Sequence, residues 1–85
     1  MKQIIFSIHD KAAQVYTTPF FEHNRALAIR ALATQVTNKD GLLNSHPEDF
    51  VLYKLAEYDD ATGTITPHEP EKVITIEEIK RMQDG

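Results

Sequence analysis

The sequence predicts an α+β domain: a small antiparallel sheet of four or five strands, one main helix packed on a face, and a short C-terminal helix. Three observations carry this. Residues 3–9, QIIFSIH, alternate loosely, with Ile4, Phe6 and Ile8 on one side and Ile5, Ser7 and His9 on the other. Residues 25–36, RALAIRALATQV, are rich in helix-forming alanine and leucine. Residues 47–65, PEDFVLYKLAEYDDATGTI, read as a helical turn, a strand and a tight hairpin.

Taken in order, the first strand is followed by the polar turn Asp10-Lys11-Ala12-Ala13 and by Val15 to Thr18, all strand-favouring residues. This is a first hairpin, ended by Pro19, which has no N–H to give to a ladder. Phe20 and Phe21 read as a buried corner. Asn24 suits a helix N-cap. In the helix, Ile29, Leu32, Ala33 and Val36 fall on one face at i, i+3, i+4 and i+7, and Ala26 extends that face backward.

Thr37 to Ser45 reads as a polar loop, anchored by Leu42 and Leu43 and eased by Gly41. Ser45 is placed to cap a turn at residues 46–49. In the central strand, Phe50 to Tyr58, simple alternation puts Val51, Tyr53, Leu55 and Glu57 on one face. It puts Leu52, Lys54, Ala56 and Tyr58 on the other. Asp59 to Gly63 makes the hairpin turn, with Gly63 at a positive φ, and Thr64 to Thr66 returns antiparallel. Pro67 to Lys72 reads as surface loop, Val73 to Ile76 as a short strand, and Glu77 to Gln83 as a terminal helix capped by Thr75.

Eighty-five residues make one domain, 1–85, with residues 67–85 open to being a peripheral or flexible extension. A chain this small buries roughly 60–65% of its unfolded surface, so a homodimer is expected to add burial. The chain has no cysteine, which removes disulfides and thiolate metal sites. No apolar run approaches the roughly 20 residues of a membrane-spanning helix, so a soluble protein with no membrane partner is expected.

Net charge is −4, which argues against non-specific coating of nucleic acid. The charge is uneven. Residues 1–47 hold Lys2, Lys11, Arg25, Arg30 and Lys39 against Asp10, Glu22 and Asp40, while the remaining acids lie after residue 47. Such asymmetry suits a polar binding face or contacts between subunits.

No arrangement carries catalysis. His9, His23, His46 and His68 show no ligand spacing, so no metal or other cofactor is expected. Asp59 and Asp60 are hairpin chemistry rather than an acid/base pair. The three glycines are isolated, so no phosphate loop exists. The seven aromatics, Phe6, Tyr16, Phe20, Phe21, Phe50, Tyr53 and Tyr58, have two uses open to them. One is core packing, which so small a domain needs; the other is base stacking on a sheet flanked by basic residues.

Several pieces together resemble the small nonstructural protein of gokushovirus-type single-stranded DNA phages (Microviridae). They are Ile8-His9-Asp10-Lys11-Ala12, Pro19-Phe20, Ala28-Ile29-Arg30, Pro47-Glu48-Asp49-Phe50, Leu52-Tyr53, Glu57-Tyr58-Asp59 and Thr62-Gly63-Thr64-Ile65. They run in the same order over roughly three quarters of the chain. Ala56 stands where that family often has glycine, and the acidic tail after Pro67 has no counterpart.

The resemblance implies a non-enzymatic phage protein in the cytoplasm of the infected bacterium. It would bind single-stranded DNA, or phage and host replication proteins, and favour genome-strand synthesis and packaging. The alternative is a protein–protein adaptor without nucleic-acid affinity. Candidate DNA contacts are Arg30 first, then Arg25, Lys11, Lys2, Lys39, Lys54 and Tyr16, so the working surface is expected near the helix and the first hairpin. The central strand is expected to supply sheet and core.

Overall fold

A computed structural model, describing residues 1–84, places five strands and three helices along the chain: β1 (Lys2–Asp10), β2 (Val15–Tyr16), β3 (Phe20–Glu22), α1 (Arg25–Val36), α2 (Leu42–Ser45), β4 (Phe50–Asp59), β5 (Thr64–Thr75) and α3 (Ile76–Asp84). A single 3-10 turn, Pro47–Asp49, leads into β4. The antiparallel sheet has the order β2-β1-β4-β5, and β3 also pairs with β1. It is the α+β architecture expected from the sequence.

β1 and β4 form the spine, paired from Lys2↔Asp59 to Asp10↔Phe50. The outer edge of β1 is shared: β2 pairs at His9 and Asp10, and β3 at Ile4 to Phe6. Thr17 holds the stretch between them. Its N–H donates to the Ile8 carbonyl, its Oγ1 accepts from the Ile8 N–H, and its carbonyl accepts from the buried Ser7 hydroxyl at 2.7 Å. Ser7 thereby satisfies a polar group that burial would otherwise penalise.

The helices cover one face only. Phe6, Ile8, Phe50 and Leu52 from the sheet meet Ala28, Leu32 and Val36 of α1 and Ile76 and Ile79 of α3. The buried line on α1 is therefore Ala28-Leu32-Val36, with Ile29 and Ala33 half-buried beside it and Ala26 exposed. Leu32 and Val36 are buried as expected, and the stripe turns toward Ala28 and away from Ala26, following an i, i+4 ridge. Asn24 Oδ1 accepts from the Leu27 N–H at 2.9 Å, the expected N-cap.

Past Val36 the chain departs from the loop expected there. Leu42 to Ser45 form α2, in which Leu43 packs on the core while Leu42 stays exposed. Gly41 sits at φ −88°, so no left-handed backbone is used there. Ser45 turns its hydroxyl back to the Gly41 carbonyl and does not cap the following turn. The unusual φ falls instead on Gln14, at +59° in the β1–β2 turn. Asn44 donates to the Val36 carbonyl, satisfying an acceptor that the end of α1 leaves open, and Gln83 donates to the Ala33 carbonyl, which also accepts from the Thr37 N–H.

The β4–β5 turn follows the expected chemistry. Gly63 has φ +73°, its N–H donates to the Asp59 carbonyl, and Asp59 Oδ1 accepts from the Ala61 N–H. Beyond it the expected loop at 67–72 is strand. β5 runs to Thr75, with irregularities opposite Leu52–Tyr53 and Lys54–Ala56. Pro67 and Pro70 are compatible with a strand here because β5 is the sheet's edge, where bulges and prolines are tolerated. Thr75 caps α3 as expected, accepting from the Glu78 N–H at 3.1 Å.

Two outcomes test this layout. Ile79→Ala should cost about 2–5 kcal/mol in chemical denaturation, as for other buried aliphatic truncations, since α3 closes the core. Gly63→Ala should cost about 1–2 kcal/mol, because alanine resists the left-handed region; an unchanged midpoint would show that the turn does not hold this geometry.

Candidate nucleic-acid interface

The face opposite the helices has its own order, set by register. Directly opposed residues share a face, so four rows cross it. Tyr16, His9, Val51 and Thr75 form the first. Ser7, Tyr53 and Lys72 form the second. Phe21, Ile5, Ala56 and Pro67 form the third, and Gln3, Tyr58 and Ile65 the fourth.

A single extra residue produces this arrangement. Phe6 opposes Lys54 and Ile5 opposes Ala56, so Leu55 is a bulge with no partner on β1. Simple alternation separates Tyr53 from Tyr58; the bulge moves Ala56 and Tyr58 onto the face of Tyr53.

The seven aromatics therefore split. Phe6, Phe20 and Phe50 belong to the core or pack against it. Tyr16, Phe21, Tyr53 and Tyr58 lie on the helix-free face. Phe21 is not the buried corner expected of it: it is 47% exposed, and Tyr16 is 43% exposed. The rings sit in two sets. Tyr16, His9 and Tyr53 form a triangle with centroids 4.6, 6.0 and 5.7 Å apart. Phe21 meets Tyr58 edge to face at 5.6 Å. Beneath and between them, Ile5, Ser7, Val51 and Ala56 are buried.

Charge is segregated between the faces. The registers put Asp10, Glu22, Glu57, Asp59 and Glu71 on the helix side of the sheet. Among the described residues at paired positions, the open face holds one fixed charge, Lys72, together with His9 and no carboxylate. On a chain of net charge −4, this is a local inversion of sign.

The basic residues singled out from the sequence do not converge. Tyr16 is on the open face, and Lys11 is exposed in the turn beside it. Lys2 and Lys54 lie on the helix side, Lys2 opposite Asp59 and Lys54 with its Nζ 3.4 Å from Glu57 and its side chain mostly buried. Arg25 is paired with Glu71 at 2.5 Å. Arg30 and Lys39 are exposed, on α1 and just after it. Lys72 was missed because its segment reads as loop; Tyr58 was among the aromatics open to base stacking, but no local signal marks the bulge that turns it to this face.

Two other features lie on the helix side. An open, mainly apolar groove of about 940 Å³ runs between α1, α2 and residues 17–20, lined by Ile8, Phe20, Leu32 and Leu43 among others. His46, Glu48 and Asp49 gather on the 3-10 turn, with the first two exposed and Asp49 half-buried.

No curated protein and no solved structure matches the chain significantly. A protein-family model does, over residues 3–79, a span that takes in the sheet from Gln3 onward, α1, α2 and the first turn of α3. The chain belongs to the phage family described as Phage ORF5 protein.

Proposed function

We propose that this phage protein binds single-stranded DNA through the helix-free face of its sheet and acts without catalysing a reaction. The observation that carries the reading is the open face itself: four aromatic side chains, one lysine and no paired-position carboxylate, on an otherwise acidic domain. Unpaired bases offer π-faces to stack on exposed rings, and stacking tolerates any base. A duplex keeps its bases stacked on one another and out of reach. Lys72 and Lys11 sit where a backbone passing Tyr53 and Tyr16 would bring phosphates. The basic candidates on the helix side become secondary in this reading.

Holding the displaced or newly made strand single would favour genome-strand synthesis and packaging in the cytoplasm of the infected bacterium. No cofactor is needed. Homodimerisation fits the same reading. Leu42, 65% exposed beside the helix-side groove, leaves apolar surface for a second copy without covering the aromatic face. That groove also favours a second reading, a protein–protein adaptor with no nucleic-acid affinity.

Binding to oligothymidylate over a salt series separates the two. Affinity should rise as salt falls, and Lys72→Ala should lower the slope of log K against log salt by about one. Tyr16→Ala should weaken binding on the order of tenfold with the fold intact by circular dichroism. An Arg25→Glu/Arg30→Glu double variant should bind within about threefold of the parent. Absence of binding at low salt leaves the adaptor standing; loss of binding in the double variant moves the interface to α1.

A further inference from the structure

We infer that the open face holds a single strand at two separate stacking stations, one charged and one neutral, with an unstacked nucleotide between them. The inference rests on the single-stranded DNA reading and specifies how that face is used.

The separation comes from the rows. Tyr16 and Tyr53 occupy the first and second, and Phe21 and Tyr58 the third and fourth. Along the outer edge of β1, from Tyr16 to Phe21, and along β4, from Tyr53 to Tyr58, the two sets are two rows apart, about 14 Å at roughly 3.4 Å per residue of β1. The ring contacts are confined within each set: the Tyr16–His9–Tyr53 triangle at one end, and the Phe21–Tyr58 pair at the other. The floor between them is made by Ile5, Ser7 and Ala56, whose side chains are short or buried and offer no ring. Two adjacent bases stacked as in a duplex, roughly 3.4 Å apart, cannot reach both stations. A stretched strand, at about twice that spacing, reaches the second station with its third base.

The stations differ in charge. Lys72 is the cross-strand neighbour of Tyr53, and His9 lies within the triangle. The Phe21–Tyr58 pair has Gln3, Ile65 and Pro67 around it in register, none of them charged. The first station therefore takes a base and its phosphate, whereas the second takes a base alone. Salt acts on the first and hardly on the second.

The test is a chemical-shift titration of the full chain with oligothymidylates of about two to six nucleotides. Affinity should step up on the order of tenfold between two and four nucleotides, then flatten. The step should be the same at low and moderate salt, while affinity at every length falls with salt. Phe21→Ala should collapse the longer oligonucleotides to the affinity of the shortest; Tyr16→Ala should lower every length and keep the step. Both rings are exposed, so both variants should fold, and their amide spectra check it. Binding that rises smoothly with length, or a Phe21→Ala loss equal at all lengths, overturns the two-station arrangement and leaves DNA binding in place. No binding at any length removes both. If solution mass shows a dimer and ring signals of both sets shift on dilution, a second copy covers this face and the inference fails.

Discussion

Everything on the open face depends on the way β4 lies against β1. Nine residue pairs run antiparallel between them, with one slip at Leu55. Without that slip, a ten-residue strand presents alternate side chains to each side along its whole length. Tyr58 then points toward the helix layer, among Glu57's neighbours, and the second aromatic pair does not form. With the slip, the half of β4 near the hairpin is turned over relative to the half near the core. Leu52 stays beneath α1 and α3, while Tyr53, Ala56 and Tyr58 share the opposite side. The acids Glu57 and Asp59 are carried to the helix side by the same displacement.

A domain this small needs most of its apolar surface in its core, and the fold meets that need from one side. The dry layer is filled by aliphatic residues of α1 and α3 packed on Phe6, Leu52 and Phe50. Only three of the seven aromatics serve that layer. The helix side is also fastened by polar contacts across elements: Lys80 to the Asn44 carbonyl, Asn44 to Val36, and Gln83 to Ala33. With α3 docked in this way, the other face of the sheet is free to carry large, partly wet rings. Those rings still contribute, since they shield Ile5, Val51 and Ala56 from water, and edge-to-face pairs add about 0.5–1.5 kcal/mol each.

What the sequence made legible was local chemistry. Asn24 and Thr75 as caps, Gly63 in its turn and the alternation of β1 all follow from side-chain groups acting within a few residues, and each stands as read. The misplaced elements required distant partners. The edge position of β5 decides that Pro67 and Pro70 can lie in a strand, and nothing near them in sequence announces that edge. Phe21 is strand rather than corner because β1 offers it a free edge beside Ile5. Leu55 looks like any other apolar residue of an alternating run. Since Lys72, Phe21 and Tyr58 are set by these three features, the candidate face was largely invisible in the sequence, although Tyr16 and Lys11 were within view.

The acidic net charge, which at first weighs against nucleic acid, has a different consequence once the charges are placed. Uniformly spread, a charge of −4 repels phosphate from every direction. Here the carboxylates at paired positions lie behind the sheet, where Glu57 and Glu71 also neutralise Lys54 and Arg25. A strand approaching from that side meets acids whose nearest cations are already engaged. From the other side, at the paired positions, it meets Lys72 and rings, with the paired acids screened by the sheet and, beyond about 8–10 Å at physiological salt, by ions. The same distribution therefore weakens attraction overall and gives it a direction. Under the proposed single-stranded DNA reading, affinity would then come mainly from stacking, with the lysines orienting the backbone over the rings.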